Sequence, residues 1–142
     1  MIIYRSTDRV KVEIDGINFK ISPLTFQQKQ ELQGHMIKAV SGDMNEAMIS
    51  VSKSLKYCLK DMSGVFYIDE DGQKREYKLS FEDGVLTDDC IDELLNMPFS
   101  SKLNSVCSAM LQGVPEKILD ADGNEIEGIK IKQHQGDEEL GK

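Results

Sequence analysis

The fold of this chain starts from one stretch, VKVEIDGINFKISPLTFQQKQEL at residues 10–32. Apolar and polar residues alternate on both sides of Asp15-Gly16, and a period of two is typical of strands that bury one face. Asp-Gly favours a two-residue turn with positive φ. A shift of one residue would move the apolar side chains to the wrong face, so the register is well specified. The sequence therefore predicts a β-hairpin with the pairs Ile14–Ile17, Val12–Phe19 and Val10–Ile21.

A helix is predicted directly after this hairpin. Ser22 or Thr25 is a suitable N-cap, and Thr25 with Gln28 has the spacing of a capping box. Leu32, Met36 and Val40 follow at intervals of four, which places them on one helical stripe. A hairpin alone is marginally stable in water, so we expect this stripe to cover its apolar face.

The middle of the chain predicts a second helix and a second hairpin. The second helix begins after Ser41-Gly42-Asp43 and runs to about Met62-Ser63-Gly64, and the short link favours an antiparallel pair with the first helix. Residues 65–81 predict a short hairpin that turns at residues 69–72. The stripe of the second helix consists of Ala47, Met48, Val51, Leu55, Cys58 and Leu59.

Two further helices complete the predicted domain. Thr87 is an N-cap, and Asp88 and Asp89 in the first turn suit the helix dipole. The last helix begins at Ser100 or Ser101. The sequence therefore predicts an α+β fold over residues 1–115, in which the N-terminal hairpin packs on a small helical bundle. The apolar stripe of the last helix consists of Leu103, Val106, Cys107, Met110 and Leu111.

The final segment, residues 116–142, is acidic and predicts a tail that is flexible and partly or wholly disordered. It contains four Lys against eight Asp or Glu, and its last ten residues have almost no apolar content. Ile126, Ile129 and Ile131 predict at most a weak strand.

Composition excludes several classes of function. The net charge is −8, which repels phosphate backbones and argues against direct nucleic-acid binding. No apolar run approaches the roughly 20 residues that span a bilayer, and no secretory signal is recognisable, so an intracellular protein is expected. The three cysteines lack C-x-x-C spacing, which argues against a zinc site.

No catalytic, cofactor or metal site is predicted. The turns at Gly72 and Gly123 resemble calcium loops, but neither places an acid at the first and twelfth positions that an EF-hand needs. Glu31 and His35 are four residues apart on the first helix, which is more often a solvated pair than a base or a ligand. We expect a protein that is not an enzyme.

The methionines suggest a binding role, although core filling is the commoner use of a helical stripe. Met adapts to varied partner surfaces. The candidate protein-binding residues are Leu32, Met36, Met44, Met48, Val51 and Leu55.

The stretch VEIDGINFKISPLTFQQKQELQ, residues 12–33, resembles the opening of tailed-phage tail assembly chaperones, with a strand pair and a Pro-Leu-Thr step into a helix. The resemblance covers about residues 8–60, and the hairpin at 65–81 departs from it. It implies a protein of the host cytoplasm that covers apolar helical surface on tape-measure or tail-tube subunits before assembly. Two alternatives stay open, a small structural tail or neck component and an acidic inhibitor of a host nucleic-acid enzyme. The sequence also leaves open whether the protein forms a homo-oligomer.

Overall fold

The computed structural model describes residues 4–110, 115–120 and 122–132. The fold is α+β, as the sequence predicts. Its helices are α1 Phe26–Val40, α2 Met44–Cys58, α3 Asp88–Leu95 and α4 Ser100–Ala109. Its strands are β1 Val10–Ile14, β2 Ile17–Ile21, β3 Leu59–Ser63, β4 Phe66–Ile68, β5 Lys74–Glu76, β6 Phe81–Glu82, β7 Val85–Leu86 and β8 Ile129–Lys132.

The first hairpin has the predicted register. β1 and β2 are antiparallel, with Val12 opposite Phe19 and the other two predicted apolar pairs also in place. Both turn residues have positive φ, 50° at Asp15 and 86° at Gly16. This geometry matches the right-handed twist of the strands, so the local sequence is sufficient to fix the pairing.

The hairpin lies in the middle of a four-stranded antiparallel sheet of order β3-β2-β1-β8. One face of the sheet is buried in a single hydrophobic core with residues of all four helices. The Phe19 ring meets the Phe99 ring edge to face, with 5.4 Å between centroids. The sheet therefore has one core face, and its second face carries the polar residues of the same strands.

The start of α1 and its pairing with α2 follow the predictions. Thr25 accepts a hydrogen bond from the Gln28 amide, and the Gln28 side chain accepts one from the Thr25 amide, which completes the capping box. The two helices are antiparallel, because Glu31 near the start of α1 bonds Lys53 near the end of α2.

The predicted end of the second helix is wrong. α2 stops at Cys58, and residues 59–63 form β3, the edge strand that pairs with β2. Leu59 and Met62 are buried in this strand. Helical periodicity also fits these residues, so tertiary pairing with β2 decides between the two conformations.

The second hairpin is present, with different strand bounds. Its strands are β4 and β5, and residues 77–81, which were expected in its second strand, lie outside it. A small third hairpin, β6–β7, was not predicted. The Asp69 carboxylate accepts hydrogen bonds from two backbone amides of its turn, and Asp120 does the same in a matching turn. The first Asp of each acidic turn thus stabilises the backbone of that turn through hydrogen bonds.

The helices α3 and α4 begin at the predicted residues. Thr87 caps α3 by accepting from the Cys90 amide. α4 buries Leu103, Val106 and Cys107, and Met110 is buried just after it. Leu111, the last residue of the predicted stripe, lies outside the described residues.

The predicted domain end at residue 115 needs correction. β8 pairs antiparallel with β1, and Ile118 and Ile129 belong to the core. The weak apolar alternation from Ile126 to Ile131 is enough for an edge strand, because β1 supplies a partner. The predicted disorder of residues 133–142 concerns a segment outside the described residues.

Candidate protein-binding surface

The apolar stripe of α2 is buried at one end and exposed at the other. Leu55 and Cys58 are buried, Val51 is half-buried, and Met48 and Met44 are 61% and 76% exposed. These positions share one face, since they repeat at three or four residues. No residue of α2 before Ser54 is buried. The stripe therefore continues past the core into solvent.

The exposure of the α1 stripe also increases toward the connection between the two helices. Leu32 is buried, Met36 is 43% exposed and Val40 is 90% exposed. Leu32 is the one buried residue of α1. The expectation that all three residues cover the β-hairpin is therefore wrong for Met36 and Val40, because the core does not extend beneath the second half of this helix.

The exposed halves of the two stripes both lie at the end of the α1–α2 pair that carries the connection between the helices. Val40 and Met44 flank the three-residue connection between the helices. The buried ends of the two stripes, Leu32 and Leu55, belong to one core. We call this surface the apolar overhang. It consists of Met36, Val40, Met44 and Met48.

The six predicted binding residues separate into two groups. Leu32 and Leu55 are core residues, which removes them from any binding surface, and Val51 lies at the boundary. Met36, Met44 and Met48 are exposed. Sequence reasoning left out Val40 as a binding residue and also the exposed Ile37, although both are large apolar residues near the end of a helix and beside a predicted turn.

Two polar contacts hold the helix pair below the overhang. Glu31 forms an ion pair with Lys53 and accepts hydrogen bonds from the Tyr57 hydroxyl at 3.0 and 3.1 Å. His35 contacts Glu46 through Nδ1 and Oε2 at 2.5 Å. The Glu31 contacts join the first half of α1 to the second half of α2, and the His35 contact joins the second half of α1 to the first half of α2. They fix the relative position of the two exposed stripes.

The Glu31 contacts also shift pKa values. The hydrogen bond from Lys53 is the main reason that the pKa of Glu31 lies below its ordinary value, and burial opposes this shift. The same contact raises the pKa of Lys53. Burial is the main reason that the pKa of Tyr57 is raised. The ionised Glu31–Lys53 pair is thus the favoured state of this contact at neutral pH.

Glu31→Gln is expected to lower stability modestly above pH 4.5 and to have little effect well below it. The folded pKa of Glu31 lies below the ordinary glutamate value of 4.5, so the wild-type ion pair stabilises the fold above that pH, and this stabilisation is lost as the pH falls through the folded pKa. Both side chains are 35% exposed, so solvent screening limits the effect to about 1 kcal/mol. Thermal melts of both proteins from pH 3 to pH 8 measure the difference. A difference that stays constant across this range would contradict the assignment.

A shallow groove lies between α2 and α3. It has a volume of about 280 Å³, with Met48, Ile49 and Ile91 among its lining residues. Lys56 and Asp88 form an ion pair across the groove, with 3.5 Å between Nζ and Oδ1. Met48 belongs to both the groove and the overhang, so the apolar surface continues from the end of the helix pair toward α3.

A second exposed apolar group lies on β4, where Phe66 and Ile68 are 51% and 67% exposed. Lys74 of β5 lies over the Phe66 ring at 4.5 Å from its centroid. This group belongs to a separate two-stranded sheet and offers a comparison surface of similar chemistry.

Within the described residues, no three or more His, Cys, Asp or Glu side chains are grouped in a way that would hold a metal ion. None of the described helices has the length and apolar character needed to cross a membrane.

Comparisons with known proteins identify no relative. No family model, no curated protein and no solved structure matches the chain.

Proposed function

We propose that this protein is a non-catalytic, chaperone-like binding protein of phage tail assembly. It holds tape-measure or tail-tube subunits through the apolar overhang. The observation that carries the proposal is the continuation of two core stripes into solvent at the end of the α1–α2 pair, where large apolar side chains remain exposed. The choice of partner rests on the resemblance of residues 12–33 to tail assembly chaperones.

The size of the overhang favours a reversible complex. Full burial of one large apolar side chain contributes roughly 1.5–3 kcal/mol, whereas association costs about 4–15 kcal/mol in lost translational and rotational freedom. Four partly exposed side chains therefore support weak or moderate binding. A chaperone that must release its client needs an affinity in this range, whereas a permanent component of a virion needs a larger interface.

Methionine at three of the four overhang positions suits a variable client. Its unbranched side chain takes many shapes at low cost, so one surface can fit several apolar helices. The Glu31 and His35 contacts keep the backbone of the helix pair in place while these side chains adapt. In this proposal His35 and Glu31 have structural roles, and the protein acts in the host cytoplasm without cofactor, nucleic acid or membrane.

Co-expression with the tail-tube and tape-measure subunits of the same genome tests the proposal. We expect one of them to co-purify with this protein at low salt and to stay in the soluble fraction only when it is present.

Two other outcomes would replace the proposal. Retention of the protein in purified virions would identify a structural tail or neck component. Capture of a basic host nucleic-acid enzyme, with affinity that falls steeply as salt rises, would identify an inhibitor. If neither tail subunit co-purifies, the chaperone function is wrong.

A further inference from the structure

The strand β4 has a free edge without the features that usually prevent strand pairing. Its three residues, Phe66, Tyr67 and Ile68, are all exposed, and within the described part of the chain β5 is the one strand that pairs with it. Proteins usually protect such an edge with a charge, a proline or a bulge, and β4 has none of these. A two-stranded sheet alone is marginally stable in water, so the β4–β5 hairpin gains stability from a further strand on β4.

The backbone of β4 presents hydrogen-bonding groups to this free edge. The Asp69 amide donates to the Gln73 carbonyl at 2.9 Å, so Asp69 faces the second half of the hairpin. The direction of the backbone groups alternates along an antiparallel strand, so Tyr67 also bonds toward β5. The N–H and C=O groups of Phe66 and Ile68 therefore point away from β5.

A second copy of β4 complements this edge in one antiparallel register. With the two-fold axis at Tyr67, Phe66 of each copy lies opposite Ile68 of the other. Each of these two pairs exchanges two N–H···O bonds, as an antiparallel ladder requires. Successive side chains alternate between faces, so the Phe66 and Ile68 side chains of both copies form one apolar cluster and the two Tyr67 side chains meet on the other face.

The charge distribution also suits a second copy. The whole chain has a net charge of −8, which opposes contact between copies at most of their surface, but β4 carries no charged side chain. On β5, Glu76 lies opposite Phe66 and Lys74 lies opposite Ile68, so one negative and one positive charge flank the apolar residues. Two copies that meet along β4 therefore meet at a surface without net charge.

We propose that β4 pairs with β4 of a second copy, which joins the two hairpins into one antiparallel sheet of order β5-β4-β4-β5. Three paired residues from each copy bury less than the roughly 800 Å² per partner of a standard stable complex. The dimer is therefore reversible and depends on protein concentration. The contact uses no residue of the apolar overhang, so this inference is independent of the proposed function.

Disulfide trapping with Tyr67→Cys tests both the contact and its register. Position 67 of one copy lies opposite position 67 of the other in a non-hydrogen-bonded pair, with about 4.5 Å between the Cα atoms, and a disulfide bridges Cα separations of about 4.4–6.8 Å. The native cysteines, Cys58, Cys90 and Cys107, are all buried, so the new thiol is the accessible one. We expect a covalent dimer on a non-reducing gel after mild oxidation with oxidised glutathione.

Two further variants are the matched controls. Arg75 lies opposite Tyr67 within the hairpin, but in the proposed sheet the two copies of position 75 are three strand spacings apart, about 14 Å. Arg75→Cys should therefore give a yield of covalent dimer lower by about tenfold or more. Ile68→Pro added to Tyr67→Cys removes an N–H that faces the free edge and leaves the hairpin ladder intact, so the yield should fall to the Arg75→Cys level. Circular dichroism establishes that each variant folds.

Sedimentation velocity of the unmodified chain tests the association without any substitution, and it decides the question if a variant does not fold. We expect the mean mass to rise from one chain toward two as the protein concentration increases from about 10 μM to about 1 mM, the range of a weak complex.

Four results would overturn the proposal. The first is a mass of one chain at every concentration, and the second is equal yields from Tyr67→Cys and Arg75→Cys. The third is a dimer that Ile68→Pro leaves intact, which would place the contact elsewhere. The fourth is protection of the Phe66 and Ile68 amides from hydrogen exchange only when a tail subunit is added, which would assign the edge to a strand of the client.

Discussion

Phe19→Ala is expected to lower the free energy of unfolding by about 3–5 kcal/mol. Phe19 is 1% exposed, lies opposite Val12 on β1 and Met62 on β3, and packs against Phe99 of the helical layer. Its removal leaves a cavity between three strands and the start of α4, where the neighbours on β1 and β3 are held in place by sheet pairing. Urea or thermal unfolding measures the change.

Phe26→Ala is the matched control, because it removes the same atoms from a side chain that is 74% exposed. We expect its effect to stay within about 0.5 kcal/mol. Equal effects of the two substitutions would show that the sheet does not form the core described above.

The double substitution Met44→Asp with Met48→Asp is expected to leave the protein folded and to weaken client binding by at least about tenfold. Both side chains are exposed, and Met44 is the first residue of α2, where a negative charge suits the helix dipole. Loss of one apolar contact of roughly 1.5–3 kcal/mol corresponds to about a tenfold or larger change in affinity. A thermal melt and the co-expression solubility assay measure the two quantities.

Two controls separate this result from a general effect of charge. Ile68→Asp places one negative charge on the comparison surface of β4 and should leave the client soluble. Leu55→Asp places it on the buried end of the same α2 stripe and should unfold the protein, since an unpaired buried charge is very costly. A folded Met44 and Met48 double variant that still keeps its client soluble would exclude the overhang as the binding surface.

Helical spacing predicted only part of the candidate surface. Spacing alone identified the stripes of both helices, because helical geometry places residues three and four apart on one face. The same pattern predicted Leu32 and Met36 to be equivalent, yet one is buried and the other 43% exposed. The difference depends on where the core ends beneath the helix, and that position is set by strands and helices distant in the sequence.

The sequence by itself determined the first hairpin, its register, the caps of α1 and α3 and the existence of the four helices. These features depend on contacts within a few residues, such as the Asp15-Gly16 turn and the bond between Thr25 and Gln28. Tertiary structure decided that residues 59–63 and 129–132 are strands. β1 lies more than 110 residues before β8 in the chain, and the free edge of β1 supplies the partner that a weak apolar alternation needs to form a strand.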